Sequence, residues 1–269
     1  MCWSTVHQGV TRPAHNDEKN LKIRRFPLAK SDLLKMTEAE RTFLLLAGHM
    51  QNEFTSLHKV FAWCLTNSPS PLGSPIESLA NGSQGMIYAR LLAGKLNEGW
   101  ELMGKAYFGT KLSQKLENRL HPRAKECLGR IKVYFSKSNT ICRVRNSFSF
   151  HYSAQEVAKN WEEAADEPGF VLLVGAVVGN TFYQASELVA NLAVLNSIDP
   201  EDKPAAMQKF FEEVQEVASL FIDFSQGAIM AILEQQFGSD FSRYGTEEEI
   251  FPNRKFDEIA IPFFYQQLV

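Results

Sequence analysis

Apolar residues recur at helical spacing along most of the chain. From Phe43 they fall at Ala47, Met50, Phe54, Leu57, Phe61 and Cys64, steps of four and three that draw one stripe along a long helix. Thr37-Glu38-Ala39-Glu40 in front of it is a capping box, where the Thr hydroxyl and Glu carboxylate reciprocally satisfy exposed N–H groups. Ser68-Pro69-Ser70-Pro71 ends the helix. A loop rich in proline, glycine and serine is expected over 67–83, then a second helix over 84–108 with Leu92, Leu96, Trp100 and Met103 on one side. Gly94, Gly99 and Gly104 weaken that helix or allow close packing.

A short basic helix is expected after Gly109 and a longer one from Pro122, since proline suits a first turn. Leu128, Ile131, Phe135, Ile141 and Phe148 mark its apolar side, and the weak helix formers of 136–140 can break it. Ser153-Ala154-Gln155-Glu156 is a further capping box, opening a helix that ends near Asp166. Two β-branched and aromatic runs, 170–174 and 178–183, read as a small hairpin around glycines. A helical segment over 185–195 leads to a last long helix over 204–237, with Phe210, Val214, Val217, Phe221 and Phe224 on its buried side.

The predicted fold is mainly α: a helical bundle with a small β-hairpin and a long C-terminal helix. Residues 31–237 form its single domain, with the motif helices at 122–166. Residues 1–30 read as a poorly ordered leader, and 238–269 as a tail packing on the bundle.

Composition adds limits more than identity. With 269 residues, 45% apolar and 22% charged, the chain is of ordinary globular type, not a disordered, collagen-like or disulfide-stapled one. The net charge of −3 selects no partner, but its distribution is uneven. Residues 86–145 hold thirteen Lys/Arg against four Asp/Glu, a net of +9, and 199–258 hold five against fourteen, a net of −9. Such polarity marks either a basic binding face beside an acidic remainder or a solvated surface. Four cysteines form no CxxC pair, the N-terminus has no apolar secretion core, and no uninterrupted run of about 18 apolar residues occurs. A soluble, cytoplasmic chain without a membrane partner is expected.

The segment that carries chemistry is Arg145-Asn146-Ser147-Phe148-Ser149-Phe150-His151. A neutral His can take a proton from a ribose 2′-OH or return one to the departing oxygen, because its pKa lies near neutral pH. An Arg guanidinium can hold a phosphate bidentately and stabilise the charge that develops on it. Asn146 can orient either group, and no metal or cofactor is required. Arg145 also falls on the stripe of Ile131, Tyr134, Ser138 and Ile141, so it needs a ligand or a counter-ion. A purely structural reading pairs it with Glu126, Glu53 or an acid of the C-terminal half, lets Asn146 cap a helix and lets His151 close a turn.

RNSFSFH resembles the Arg-polar-X-His signature of the HEPN superfamily, and is similar to the RN…FHY variant of uncharacterised bacterial helical proteins. The resemblance implies an all-α bundle that often dimerises and brings two motifs together. It implies metal-independent ribonuclease activity in many members, commonly toxins or defence proteins with a possible antitoxin partner, and binding without cleavage in others. Carried over by position, Arg145, Asn146 and His151 would form the active site.

Arg123, Arg130 and Lys137 recur every seven residues and share one helix face. With Lys132, Arg143 and Tyr152 they are the candidate RNA contacts of the basic 119–145 region, where Tyr134 or Tyr152 could stack a base. A solvated helix face has the same composition. His49, Asn52 and Glu53 on the first long helix could orient a catalytic group or interact with Arg145, or His49 and Glu53 could form a surface pair one turn apart. No metal-ligand spacing is present, and Gly175-Ala176-Val177-Val178-Gly179 lacks the Lys-Ser/Thr of a phosphate loop.

Overall fold

The computed structural model describes residues 21–66, 74–146, 154–164, 170–238, 241, 245–250 and 255–266. The described helices are α1 (Lys30–Leu33), α2 (Glu38–Thr66), α3 (Pro75–Ala106), α4 (Lys111–Glu117), α5 (Pro122–Phe135), α6 (Thr140–Val144), α7 (Ala154–Glu163), α8 (Gln184–Ile198) and α9 (Lys203–Phe237). The strands are β1 (Leu21–Arg25), β2 (Leu172–Leu173), β3 (Phe182–Tyr183) and β4 (Thr246–Ile250). The mainly α bundle with a long C-terminal helix is as expected.

The helix starts follow from their caps. Glu40 Oε2 accepts from the Thr37 N–H at 3.1 Å, while the Glu40 N–H donates to Thr37 Oγ1 at 3.3 Å. α3 begins nine residues before the expected boundary of 84. Ser74-Pro75-Ile76-Glu77 is itself a capping box: the Glu77 N–H donates to Ser74 Oγ at 3.2 Å and the Ser74 N–H donates to Glu77 Oε2 at 2.9 Å. This local signal outweighs the glycines that suggested a loop. Asn139 Oδ1 accepts from the Cys142 N–H at 2.9 Å, so the interruption at 136–139 is real and α6 starts anew. Ser153 lies outside the described residues, and so does Asp166.

α9 is the axis of the bundle, packed on α2 and α5 and also on α3 and α8. Its Phe221 is fully buried, with Phe54 of α2 edge-on at 5.3 Å and Phe135 of α5 at 6.0 Å. Phe224 meets Tyr107 at 5.7 Å, and Tyr107 stacks on Phe43 at 4.9 Å. Aromatic rings thus join four segments of the chain in one core. Two glycines set close approaches. A Cβ at Gly99 would lie 2.6 Å from the Phe54 ring, and one at Gly227 would overlap Ala124, where α9 crosses α5. By length and composition α9 would cross a membrane, yet here its apolar residues are the bundle core.

Two expectations change. The hairpin of 170–183 exists, but its antiparallel strands have only two residues each, Leu172–Leu173 against Phe182–Tyr183, with a 3-10 turn at Val178–Asn180 between them. The leader of 1–30 contains structure from Leu21 onwards: β1 pairs antiparallel with β4, Leu21 opposite Ile250 and Arg25 opposite Thr246. Residues 1–20 lie outside the described set. The tail packs on the bundle through buried Phe241, stacked on Phe26 at 4.7 Å. It also reaches α3 through the Phe263 N–H, which donates to Asn81 Oδ1 at 2.9 Å.

Candidate functional site

α6 is fixed before the motif begins. The Tyr134 hydroxyl, at the end of α5, accepts from the Ile141 N–H at 3.4 Å. The Cys142 thiol donates at 3.1 Å to the side-chain oxygen of Asn97, buried on α3. The residue after Asn97 then receives the motif: Arg145 Nη2 donates to Glu98 Oε1 at 3.3 Å, and Nη1 donates to Asn146 Oδ1 at 3.1 Å. The Arg145 side chain is 35% exposed, so the charge expected on an apolar stripe emerges at its edge and finds a carboxylate there. The Nε atoms of Arg143 and Arg145 are buried without a hydrogen-bond partner. The backbone widens into a π turn at Arg145 and Asn146, a distortion that recurs at functional positions. His151 and Tyr152 lie outside the described residues.

The partner proposed for Arg145 on structural grounds is therefore corrected. Glu126 is 3.9 Å from Arg123, and Glu53 accepts from Lys95 Nζ at 2.7 Å. His49 Nε2 sits 3.8 Å from Glu53 on the exposed side of α2, and Asn52 is exposed beside it. The trio His49, Asn52 and Glu53 gives Arg145 no support, because Lys95 of α3 takes the carboxylate first.

The basic stripe is corrected more deeply. Arg123 Nη2 lies 2.9 Å from Asp223 Oδ2, Arg130 pairs with Glu216, and the Tyr134 hydroxyl donates to Glu213 Oε2 at 2.6 Å. Positions rising along α5 meet positions falling along α9, so the two helices run antiparallel with matched charges. Burial, and Glu213 accepting its proton, push the Tyr134 phenol far above its usual range. That hydroxyl and its half-buried ring are committed to packing, not to stacking a base. Lys132 donates to Glu117 at 2.9 Å and lies over the Phe108 ring at 5.3 Å. A groove of about 420 Å³ follows the α5–α9 seam, and Glu126 and Glu216 on its wall make it a poor phosphate cradle. Lys137 and Arg143 have no ion pair among the described residues.

Comparison with known proteins gives no match, whether to family models, to curated proteins or to solved structures. The geometry alone therefore carries the reading. Among the described residues no three His, Cys, Asp or Glu side chains gather as a metal site. What stands together is an Arg, an Asn and a Glu at the C-terminal end of α6, with Arg143 just before them in the chain and Lys137 ahead of the cap. Glu98 escaped the sequence reading because it was one of four acids in a basic stretch.

Proposed function

We propose that the chain is a metal-independent endoribonuclease of the HEPN type, acting at the end of α6. The observation that carries this reading is the contrast among the five described candidate cations. Arg123, Arg130 and Lys132 are engaged by carboxylates, whereas Lys137, ahead of α6, and Arg143, in its last turn, have none among the described residues. The phosphate-gathering surface contracts to Lys137, Arg143 and Arg145, next to the motif. There Arg145 would exchange Glu98 for a phosphate and stabilise its developing charge. Asn146, already bonded to the guanidinium, would hold its orientation. His151 would take the 2′-OH proton, the 2′-oxygen would displace the 5′-oxygen of the next nucleotide from the phosphorus to leave a 2′,3′-cyclic phosphate, and the departing oxygen would take a proton back from the imidazolium or from water. The same reading puts the protein in the cytoplasm as a toxin or defence factor, with a cognate protein partner to restrain it and a second copy to complete the site.

The test is cleavage of a mixed RNA pool in EDTA by the wild type and by His151→Ala, with folding of both checked by circular dichroism. Cyclic-phosphate fragments from the wild type alone support the reading; equal cleavage by both removes His151 from it. One observation favours a second reading, a non-catalytic helical interaction module: Arg145 is ion-paired to Glu98. On that reading, a module binding nucleotide, RNA or protein, the wild type does not cut RNA, and Arg145→Ala lowers stability without changing any cleavage.

A further inference from the structure

Residues 259–266 of the tail are held on the bundle by side-chain amides. Asn180 ends the 3-10 turn of the hairpin, where its N–H donates to the Val177 carbonyl at 2.9 Å. Its carboxamide takes both backbone groups of one tail residue. Nδ2 donates to the Tyr265 carbonyl at 2.6 Å, and Oδ1 accepts from the Tyr265 N–H at 3.0 Å. One amide thus supplies the donor and the acceptor that a neighbouring strand would present. Two residues earlier, the Phe263 N–H donates to Asn81 of α3, and the Phe263 ring stands edge-on to buried Phe182 at 4.9 Å. The Tyr265 ring lies against Gly179, where a Cβ would overlap its hydroxyl. Alternate residues are therefore gripped by backbone and by ring, as an extended peptide is in a recognition cleft.

We infer that this cleft is a peptide-binding site for an extended, uncharged segment of another protein with aromatic residues at alternate positions, and that the tail occupies it in cis. The three hydrogen bonds go to backbone groups, so they serve any chain; the two rings set the specificity. None of residues 259–266 is buried, and Tyr265 is 51% exposed although its backbone N–H and C=O are both bound. The tail also leaves the site incomplete. Gln84, one turn beyond Asn81 on the same side of α3, has its Oε1 buried without a hydrogen-bond partner. Val178, beside Gly179, is 90% exposed. Residues 170–186 hold no Asp, Glu, Lys or Arg, so the surface around Asn180 selects an uncharged partner. Being tethered, the tail competes at a high effective concentration. A foreign segment gains over it by giving Gln84 a donor and by covering Val178. This site is independent of the nuclease reading and uses neither α6 nor the motif.

Fluorescence anisotropy with a labelled peptide, Ile-Ala-Ile-Pro-Phe-Phe-Tyr-Gln, tests the site on the full chain. The double variant Phe263→Ala, Tyr265→Ala, with its own tail disabled, binds the peptide in the range of about 1–100 µM. The wild type binds it about tenfold or more weakly, because the tethered tail competes. Adding Asn180→Ala to the double variant weakens binding about tenfold, and a peptide with alanine in place of Phe263 and Tyr265 does not bind. Selection of randomised peptides of about twelve residues on the wild type, long enough to reach past the tail's contacts at about 3.3 Å per residue, recovers aromatic-x-aromatic segments that displace the tail. A folded double variant that ignores the peptide overturns the inference, as does binding unchanged by Asn180→Ala or a selection that recovers no such segment. A double variant that loses its native circular dichroism also overturns it, since the tail would then be part of the core instead of a replaceable occupant.

Discussion

The two ends of the basic stretch meet opposite fates. Along α5, Arg123 and Arg130 are held by Asp223 and Glu216 of α9, and Tyr134 donates to Glu213. Around α6, Lys137 and Arg143 carry no ion pair among the described residues, and Arg145 meets Glu98 and Asn146. Composition is alike in both places; what differs is the neighbour. The first end lies against the acidic helix, and the second against an α3 stretch with few acids. An excess of cations in sequence therefore fixes the charge of a segment but not its availability to a ligand. Two cations of the basic stretch, Arg123 and Arg130, and two acids of the acidic one, Asp223 and Glu216, face each other across one internal seam.

The largest way to break the comparison is to separate that seam. Phe221→Ala removes the ring shared by α2, α5 and α9, and is expected to cost about 3–5 kcal/mol in urea unfolding. It would loosen the acidic face from the stripe and expose Arg123 and Arg130. A loss below about 1 kcal/mol would mean that the seam does not depend on this junction. Tyr134→Phe is the next step, at about 1–3 kcal/mol, because Glu213 then loses its donor while half-buried. Its pH signature is specific. The Tyr134 phenol titrates higher in the folded chain than in the unfolded one. Its contribution is thus fully present below the ordinary phenol value of about 10 and is lost as pH rises above it. The variant should lose less stability than the wild type as pH rises from about 10 to about 12, and parallel losses would contradict the assignment.

Much of the fold was legible where the signals are local. The Thr37 capping box and the Phe43 stripe gave α2, the 204–237 stripe gave α9, and the weak helix formers of 136–140 gave the break before α6. α3 began early because a capping box at Ser74 stood inside a segment dominated by loop residues. β1 was hidden for another reason: its partner strand lies at the far end of the chain, and five residues of mixed polarity announce no strand alone. The seam was only half legible. Arg123 and Arg130 are seven apart, and so are Glu216 and Asp223, but only the antiparallel docking of α5 on α9 says which faces meet. Arg145 and Asn146 were found from chemistry. Glu98 was not, since a carboxylate on α3 carries no local mark of its target.

The unengaged end gives the middle-sized effect. Lys137→Ala and Arg143→Ala should each lower RNA cleavage about threefold to tenfold and flatten its salt dependence by about one counterion, leaving thermal stability near wild type. Arg123→Ala should leave cleavage unchanged. The comparison inverts if Arg123→Ala is the more damaging to RNA, which would show that RNA displaces α9 acids and opens the seam.

The smallest effect sharpens the comparison most directly. Arg130 and Glu216 are both about half exposed, so their pairing should contribute roughly 0.2–1 kcal/mol. Arg130→Ala, Glu216→Ala and the double variant form a cycle in which the two single losses exceed the double by that amount. Arg143→Ala combined with Glu216→Ala should show no coupling, because these side chains make no ion pair with each other. Salt separates the ends further. At about 1 M the screening length falls to about 3 Å, so the Arg130–Glu216 coupling should shrink while the apolar seam beneath it persists. A coupling that survives high salt would assign the α5–α9 match to geometry and burial instead of charge.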